Sequence, residues 1–404
     1  MFDPKELEIL ETDEARLLLE KHIEDNPNEL SITLKCERNL ALAVCRQIKY
    51  LQKCRVKIPE YFNARCIIPP ISFEQASSGI TALSKEYSGK LCIDLTCGLG
   101  VDSYFFSKKF GQVISIEKNK VLSEIAKLNF KSLGAENITV INKCAEDFIT
   151  DYTGPKADVL YIDPARRDDK GGKKFLLEDC SPDIQGIIEQ CLKISERTVI
   201  KLSPLFDIKE ITEKFSTCLD KIDIISVRDE CKEVIAECSS TNHKPVTITV
   251  NAVGGKKYDF SIEDSGVRDE KISDIESYNY LLVPDVCFYK GRLTVAYFKK
   301  YLSDTDISTP SSTGFSFSKS VPYDFCGKAY KITELTEYNP KKVRNLLKGK
   351  GIKNLTILKK DFQFPLYEIT KALKIGTGGN NFAAVTTVNG KKYFMLLGNK
   401  ELFL

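Results

Sequence analysis

The residues with the clearest chemical potential form the stretch DLTCGLGVDS at positions 94–103. This stretch follows a short apolar run and precedes a helical pattern, so its glycines allow the backbone to turn tightly beneath a ligand. Glu117 ends the next apolar run, where a carboxylate can bond both hydroxyls of a ribose. These features are compatible with an adenosine-containing cofactor, although a bare Gly-x-Gly also occurs in turns with a purely structural function.

Three details favour S-adenosylmethionine (SAM) over a nicotinamide dinucleotide at this turn. Dinucleotide sites use the pattern GxGxxG, but Ser103 occupies the position of the third glycine. Asp94 suits the cationic amino-acid part of SAM, and it would repel a pyrophosphate at close range. Asp163 and Pro164 end a later apolar run, at the edge where open α/β sheets bind ligands. An NAD-dependent oxidoreductase is the disfavoured alternative, and a simple strand-ending turn is the structural alternative for Asp163-Pro164.

Alternating strand and helix patterns are expected to bring these residues to one edge of a sheet. Near-continuous apolar runs separated by amphipathic helices predict a doubly wound α/β domain with a parallel sheet. The predicted strands are 91–94, 112–117, 138–142, 158–163 and 197–203, and helical patterns include 120–133 and 182–194. Before them, Thr12–Asp25 and Leu40–Leu51 place Leu, Ile, Ala and Cys at three- and four-residue steps, which predicts a helical region.

The texture of the chain changes after Asn242-His243-Lys244-Pro245. A Ser/Thr-rich stretch at 308–320 is typical of an exposed connection, and Asn389-Gly390 is a strong hairpin-turn signal. The resulting prediction divides the chain into four segments. They are an N-terminal helical region (1–88), a Rossmann-like domain (89–253) and two small α+β modules (254–322 and 323–404).

Composition excludes several classes of protein. The 404 residues are 42% hydrophobic and 28% charged, which fits a globular chain of two or three domains. Two histidines, His22 and His243, and 14 cysteines without a CxxC pair argue against zinc or His-dependent nucleophilic catalysis. The sequence shows neither a secretory signal nor an apolar run of about 18 residues. We therefore expect a cytoplasmic protein with reduced thiols, no metal and no membrane association.

Five spaced motifs extend this interpretation to nearly the whole chain. They are FEQASS (73–78), DLTCGLGVD (94–102), IDPARR (162–167), LEDCSPD (177–183) and KLSPLFDI (201–208). Their succession resembles the bacterial class I SAM-dependent methyltransferases that carry a THUMP-like domain. The resemblance implies a Rossmann-like methyltransferase domain, a ferredoxin-like module at 254–322 and a THUMP-like module at 323–404. It also implies SAM as the cofactor and structured RNA, either tRNA or rRNA, as the substrate.

The motifs and the resemblance assign a function to individual residues. Asp163 and Pro164 are the predicted catalytic residues. The predicted cofactor contacts are Glu74, Gln75, Asp94, Thr96, Gly98, Gly100, Asp102, Glu117, Lys118, Cys144, Ala145 and Glu146. The predicted substrate contacts are Ser77, Ser78, Arg166, Lys201 and Ser203. For Glu74, Gln75 and the two adjacent serines the alternative is an ordinary helix start with Ser as N-cap. For Lys201 and Ser203 the alternative is simple termination of the strand. Cys180 invites comparison with the nucleophile of C5-pyrimidine methyltransferases, but its position before Pro182 favours a structural function at a helix start.

Two positions depart from the resemblance. Lys143-Cys144-Ala145 stands where related enzymes often place an acid for the adenine amine, so the backbone at 144–145 or Glu146 is predicted to replace it. Ala165-Arg166 replaces a proline and an aromatic that would stack on an extruded base. The Arg166 guanidinium could stack instead, or it could contact a phosphate. The motif itself therefore does not identify the substrate atom that accepts the methyl group.

The charge distribution indicates a polyanionic partner for one end of the chain. Residues 321–404 contain 15 Lys and Arg against 6 Asp and Glu, whereas the rest contains 44 against 50. A solvated lysine-rich surface is the alternative. We predict a SAM-dependent methyltransferase of a nucleobase nitrogen in tRNA or rRNA, with RNA bound through the basic C-terminal module. The alternatives are methylation of a protein or small molecule, and a catalytically silent SAM- or RNA-binding protein.

Overall fold

A computed structural model describes residues 2–166, 177–241, 245–267, 272 and 274–403. Within these ranges, residues 166, 179 and 399–403 are described by their backbone alone. Arg167 and His243 lie outside the described residues. The chain forms two compact units. The first comprises 1–220 and 233–243, and the second comprises 221–232 and 244–404.

Seven helices occupy the first unit before its first strand. They are α1 (Pro4–Leu10), α2 (Asp13–His22), α3 (Pro27–Thr33), α4 (Arg38–Lys57), α5 (Pro59–Asn63), α6 (Pro70–Gln75) and α7 (Gly79–Ser84). Polar N-caps start several of them; Thr12, for example, accepts a hydrogen bond from the Ala15 N–H. Helix α4 buries Leu40, Val44 and Ile48 on one face. The predicted helical region is confirmed.

The central sheet of the first unit follows these helices. The strands and helices from residue 89 to residue 238 are, in chain order, β1 (Gly89–Asp94), α8 (Val101–Ser107), β2 (Phe110–Ile116), α9 (Lys120–Ser132), β3 (Ile138–Ile141), α10 (Ala145–Asp151), β4 (Ala157–Ile162), β5 (Ala165–Arg166), β6 (Cys180–Ser181), α11 (Ile184–Ile194), β7 (Ser195–Leu202), α12 (Ile208–Lys214), β8 (Leu219–Val227) and β9 (Glu230–Cys238). Within this unit the strand order is β9-β7-β4-β1-β2-β3. The predicted α/β sheet is confirmed.

Strand direction in this sheet explains how the site is assembled. The strands β3, β2, β1, β4 and β7 are parallel, whereas β9 runs antiparallel to β7. The strand centres are fully buried, as at Ile93, Leu160 and Ile200. Because the carboxyl ends of parallel strands meet at one edge, Asp94, Glu117 and the residues after β4 and β7 are brought to the same side of the sheet.

The antiparallel strand β9 is absent from the strands predicted above. Strands β8 and β9 are joined by Arg228 and Asp229, both with positive φ angles (53° and 63°). This turn geometry usually requires Gly or Asn, so the residues carry no recognisable turn signal. The chain passes into the second unit within β8 and returns to the first within β9.

The strands in the described part of the second unit belong to two sheets. One has the order β11-β10-β8, and the other has the order β13-β14-β12-β15-β18-β17-β16. Its further elements are β10 (Thr247–Ala252), β11 (Lys257–Ser261), β12 (Tyr280–Pro284), α13 (Val286–Lys290), α14 (Thr294–Tyr301), β13 (Ile307–Ser308), β14 (Ser316–Ser318), β15 (Gly327–Glu337), α15 (Pro340–Gly349), β16 (Asn354–Lys359), α16 (Leu366–Leu373), β17 (Gly376–Val388) and β18 (Lys391–Phe403). The hairpin predicted at Asn389-Gly390 joins β17 to β18.

The seven-stranded sheet continues across the position predicted to separate two modules. Strand β12 pairs with β14 on one side and with β15 on the other, so the boundary at 322/323 does not divide two sheets. Among the described residues, the strand pairs of this sheet are antiparallel except β16–β17, which is parallel. Helices α15 and α16 share a core with β17 and β18, formed by Val343, Leu347, Ile369, Val385 and Phe394.

Two features are absent from the described residues. No helix there is long and apolar enough to cross a membrane. No cluster of His, Cys, Asp and Glu there has the arrangement of a metal site. All 14 cysteines are free thiols, and most of them are buried.

Candidate active site

The turn between β1 and α8 depends on two glycines that serve different purposes. Both have positive φ angles, +55° at Gly98 and +85° at Gly100. A Cβ atom at Gly100 would lie 2.5 Å from the Cζ atom of Phe130, so this glycine lets α9 pack closely against the turn. A Cβ atom at Gly98 would have no neighbour nearer than 3.9 Å. The space beside Gly98 is therefore open, as a ligand-binding turn requires.

Asp94 at the end of β1 is buried and bonded within the turn. Its carboxylate accepts hydrogen bonds from the Ser103 hydroxyl (2.5 Å) and the Thr96 N–H (2.9 Å). Burial raises the pKa of Asp94 to about 7, and these two bonds oppose the rise only in part. Ser103 also accepts a bond from Ser115 (2.8 Å), which explains a serine at the third glycine position. Asp94 thus shapes the turn, and its contact with SAM stays a prediction.

Glu117 connects the end of β2 to the same turn. One carboxylate oxygen accepts a hydrogen bond from the Gly98 N–H (2.9 Å), and the other accepts from the Asn119 N–H (2.8 Å). Each oxygen can accept a further bond, as recognition of a ribose diol would need. The neighbouring Lys118 donates from Nζ to the Ser181 hydroxyl at 3.2 Å.

Asp163 follows β4 and is tied to the turn through its backbone. Its N–H donates to the Thr96 hydroxyl at 2.7 Å. Its side chain is 33% exposed, and Oδ2 accepts a hydrogen bond from Lys201 Nζ at 2.6 Å. Burial raises the pKa of the Asp163 carboxyl, and the adjacent Lys201 offsets part of that rise. The half-buried Pro164 comes next in the chain.

A cluster of buried charges lies behind Asp163. Lys85 is completely buried and forms ion pairs with Asp102 and Glu233, both at 2.8 Å. Asp102 also accepts a hydrogen bond from the Tyr161 hydroxyl at 3.0 Å. Burial opposes ionisation of Asp102, but Lys85 and Lys201 outweigh it and lower its pKa to about 2. Asp102, predicted to bind the cofactor, therefore belongs to a buried ionic cluster.

The segment before β1 places one of its two serines in that cluster. Ser77 is buried, donates to Asp102 Oδ2 at 2.7 Å and accepts from Lys201 Nζ at 2.9 Å. Ser78 caps α7 by accepting from the Thr81 N–H, which agrees with the structural alternative. Glu74 is exposed and pairs with Lys53 at 2.9 Å.

The remaining predicted contacts occupy neighbouring elements. Cys144 is the N-cap of α10, and its sulfur accepts from the Asp147 N–H at 3.4 Å. Ala145 is buried, whereas Gln75 and Glu146 are exposed. The Ser203 hydroxyl accepts from the Leu205 N–H at 3.3 Å.

The motif after β4 continues into a short two-stranded sheet. Arg166 pairs through its backbone with Cys180, and the Arg166 side chain lies outside the described residues. Cys180 is 2% exposed and belongs to β6. The prediction that it lies at the start of a helix is therefore wrong. Helix α11 begins at Ile184 with Asp183 as its cap, and the Asp183 carboxylate accepts a hydrogen bond from the Gly186 N–H at 3.3 Å.

Lys85 and Glu233 were not predicted by sequence reasoning. Lys85 lies in the polar sequence SKEYSGK, and Glu233 lies in a strand that was not predicted. Neither position carries a local signal that separates it from a surface charge. Their burial depends on partners that are distant in the sequence.

Comparison with known proteins agrees with this architecture. A model of the THUMP domain-like family matches residues 327–400. The crystal structure of a proposed methyltransferase from Porphyromonas gingivalis W83 matches the fold with a TM-score of 0.82. That match has 22% sequence identity and covers 98% of this chain and 99% of the other. This chain has a methyltransferase fold with a C-terminal THUMP-like domain. The resemblance identified from the motifs is thereby confirmed.

Curated relatives of this methyltransferase-fold protein include RNA methyltransferases. An uncharacterized RNA methyltransferase from Clostridium tetani is 34% identical over 133 residues, covering 30% of this chain and 28% of the relative. A 23S rRNA (uracil(1939)-C(5))-methyltransferase from Aliivibrio fischeri is 23% identical over 212 residues, covering 49% and 45%. The chain thus spans about a quarter to a half of the curated relatives that it matches.

Proposed function

We propose that this protein is a SAM-dependent methyltransferase that acts on a nucleobase nitrogen in structured RNA. The observation that carries the proposal is the position of Asp163. Its carboxylate is one-third exposed at the sheet edge, and its backbone is bonded to the turn that contains Gly98. The Asp163 carboxylate, a charged hydrogen-bond acceptor, thus lies directly beside the turn proposed to bind the cofactor.

The residues present fit SAM at that turn. The open space beside Gly98 admits a ligand, and Glu117 has acceptor capacity for a ribose. The expected adenine contacts are Cys144, Ala145 and Glu146, at the start of α10. SAM, when bound, supplies a methyl group that its cationic sulfur already activates. The task of the protein is then to align the acceptor, which can contribute up to about 7–11 kcal/mol.

Asp163 and Pro164 are the groups proposed to perform that alignment. Oδ1 of Asp163 has no hydrogen-bond partner among the described residues, and the Pro164 carbonyl follows it in the chain. Both oxygens are suited to accept hydrogen bonds from an amino group, which orients the nitrogen lone pair. The Asp163 carboxylate also favours the positive charge that develops on nitrogen.

The thiols near the site favour nitrogen over carbon as the acceptor. Methylation at C5 of a pyrimidine, as in the Aliivibrio relative's name, is expected to need a reactive cysteine. Cys97 in the turn is buried, and burial raises the pKa of its thiol well above the usual value. A hydrogen bond with Asp147 raises the pKa of Cys144. Reactive thiols have lowered pKa values and are accessible; Cys97 has neither property, and Cys144 lacks the lowered pKa.

The C-terminal unit supports RNA as the substrate. Residues 327–400 are THUMP-like, and helix α15 turns an apolar face to its own core. Its other face exposes Lys341, Lys342 and Lys348, with Lys350 and Lys353 just beyond it. Such a surface suits phosphate binding, and the relatives' RNA methyltransferase names are consistent with it. The four-segment division, the ferredoxin-like assignment of 254–322 and the cytoplasmic location stay predictions.

Two measurements test the proposed function. Mass spectrometry of nucleosides from total RNA, with and without the gene, should show one methylated nucleoside missing in the deletion strain. Asp163→Ala should abolish methyl transfer while calorimetry still detects SAM binding. Asp151→Ala, which removes an exposed carboxylate paired with Lys143, is the matched control and should keep full activity. An unchanged nucleoside profile would favour a protein or small-molecule acceptor, or a silent binding protein.

A further inference from the structure

A continuous series of polar contacts leads from the protein interior to Asp163. Lys85 binds Asp102, which lies 3.9 Å from Lys201 Nζ, and Lys201 binds Asp163 at 2.6 Å. Ser77 joins Asp102 and Lys201 through a single hydroxyl group, with bonds of 2.7 and 2.9 Å. Every contact in this series lies within the first unit.

Burial changes steadily along the series. Lys85 is fully buried, Asp102 and Lys201 are nearly so, and Asp163 is the most exposed member. With Glu233, the cluster contains three carboxylates and two ammonium groups, so it carries one net negative charge when all are ionised. A lone buried carboxylate would tend to take up a proton, whereas a cation at 2.6 Å stabilises the ionised form.

We infer that Lys201, supported by Asp102, Lys85 and Ser77, is a positioning residue for methyl transfer. Its ammonium group binds Oδ2 of Asp163 and keeps the carboxylate ionised. Oδ1 is then available to accept a hydrogen bond from the amino group that receives the methyl. The ammonium group of Lys201 is shared between Asp163 and Ser77, and its predicted contact with the substrate stays a prediction. The inference rests on the proposed function of Asp163.

The surroundings of Asp163 define what a pH experiment reports. The charged and titratable groups that act on its carboxyl, or are acted on by it, are Lys201 on β7, Asp102 on α8, Glu233 on β9, Asp94 on β1 and Tyr161 on β4. Lys201 is the cation among them in direct contact with Asp163. Removing it leaves carboxylates as the principal neighbours, so protonation of Asp163 becomes easier.

The decisive comparison is Lys201→Met against Lys201→Arg in the full-length protein. Lys201→Met should raise the pKa of Asp163 by about 1–3 units, and the acid limb of the kcat–pH profile should move equally. At a fixed pH on the acid limb, turnover should then fall about tenfold for each unit of that rise, with SAM affinity unchanged. Lys201→Arg keeps the charge and should restore the acid limb. The control, Lys209→Met, removes a lysine whose side chain is 82% exposed and should match the unmodified protein.

A second variant separates positioning from folding. Lys201→Met together with Asp102→Asn removes one charge of each sign, so the cluster keeps its net charge and is expected to fold. The acid limb should still move upward in this double variant. An unmoved limb in correctly folded Lys201→Met or in the double variant would overturn the inference, whatever their melting temperatures.

The titration of Asp163 can be read without turnover. Carbon-13 NMR of aspartate carboxyls, with Asp163→Asn to assign the signal, reports its protonation directly. If the unmodified protein transfers no methyl group to RNA, the proposed function fails on its own. The Asp163 signal then still tests whether Lys201 keeps that carboxylate ionised: an upward shift in Lys201→Met supports this part of the inference, and an unchanged titration refutes it.

Discussion

Gly100→Ala is expected to destabilise the turn between β1 and α8 for two separable reasons. The residue has a φ angle of +85°, a conformation that costs a residue with a Cβ about 1–2 kcal/mol. The added methyl would also lie 2.5 and 2.8 Å from two atoms of the buried Phe130 ring. Overpacking of this kind costs about 1–3 kcal/mol. The free energy of unfolding should therefore fall by about 2–5 kcal/mol, measured by urea unfolding with circular dichroism.

Gly134→Ala is the matched control for the backbone contribution. Gly134 also has a positive φ angle (+67°), but a Cβ atom there would meet no atom within 4 Å. Only the conformational cost of about 1–2 kcal/mol is expected. If Gly100→Ala is no more destabilising than Gly134→Ala, the close approach of Phe130 to the turn is refuted.

A double-mutant cycle isolates the steric part of the effect. Phe130→Leu removes the ring atoms that the new methyl group would meet, so Gly100→Ala should cost less in the Leu background than in the native one. The expected coupling energy equals the overpacking cost, about 1–3 kcal/mol. Simple additivity of the two substitutions would contradict this account.

Gly98→Ala should separate ligand binding from stability. Its φ angle is +55°, and the nearest atom to a new Cβ is 3.9 Å away, so stability should resemble that of Gly134→Ala. The methyl group would nevertheless extend into the space proposed for SAM. Calorimetry should show a marked loss of SAM affinity in Gly98→Ala and little loss in Gly134→Ala. An unchanged SAM affinity in Gly98→Ala would contradict the proposal that SAM binds at this turn.

Three further outcomes are expected. Burial raises the pKa of Asp94 to about 7, so the folded protein binds a proton that the unfolded chain releases near pH 4. The resulting stability is lost as the pH rises through 7. Asp94→Asn should remove this dependence, so its melting temperature should differ from that of the unmodified protein by an amount that varies with pH between 4 and 8. Replacing Lys341, Lys342 and Lys348 together by Gln should weaken RNA binding and reduce the slope of log affinity against log salt by up to about 2.7, measured by filter binding; an unchanged slope would place the RNA elsewhere. Cys180→Ala should retain most of the turnover of the unmodified protein in a methyl-transfer assay. Loss of turnover in this variant would instead support catalysis by the Cys180 thiol.

The parallel sheet and its functional edge could be predicted because their signals are local. Apolar runs of strand length, the glycine pattern at 94–103 and the acid at Glu117 each lie within a few residues of chain. A parallel sheet then brings the carboxyl ends of its strands to one edge, whatever the packing elsewhere. The hairpin at Asn389-Gly390 was predictable for the same reason. The hairpin turn at Arg228 and Asp229 was not, since its residues adopt positive φ angles without the usual glycine.

The amino-acid sequence alone thus determined where the carboxylates of the site would gather, and the tertiary structure decided what each of them does. Ser77 and Glu233 are 156 residues apart in the chain, yet their side chains meet in the cluster behind Asp163. Nothing adjacent to Lys85 in the sequence distinguishes it from an exposed lysine. Burial and charge pairing depend on which distant segments pack together. The same residue types therefore become a solvated surface in one place and a buried ionic cluster in another.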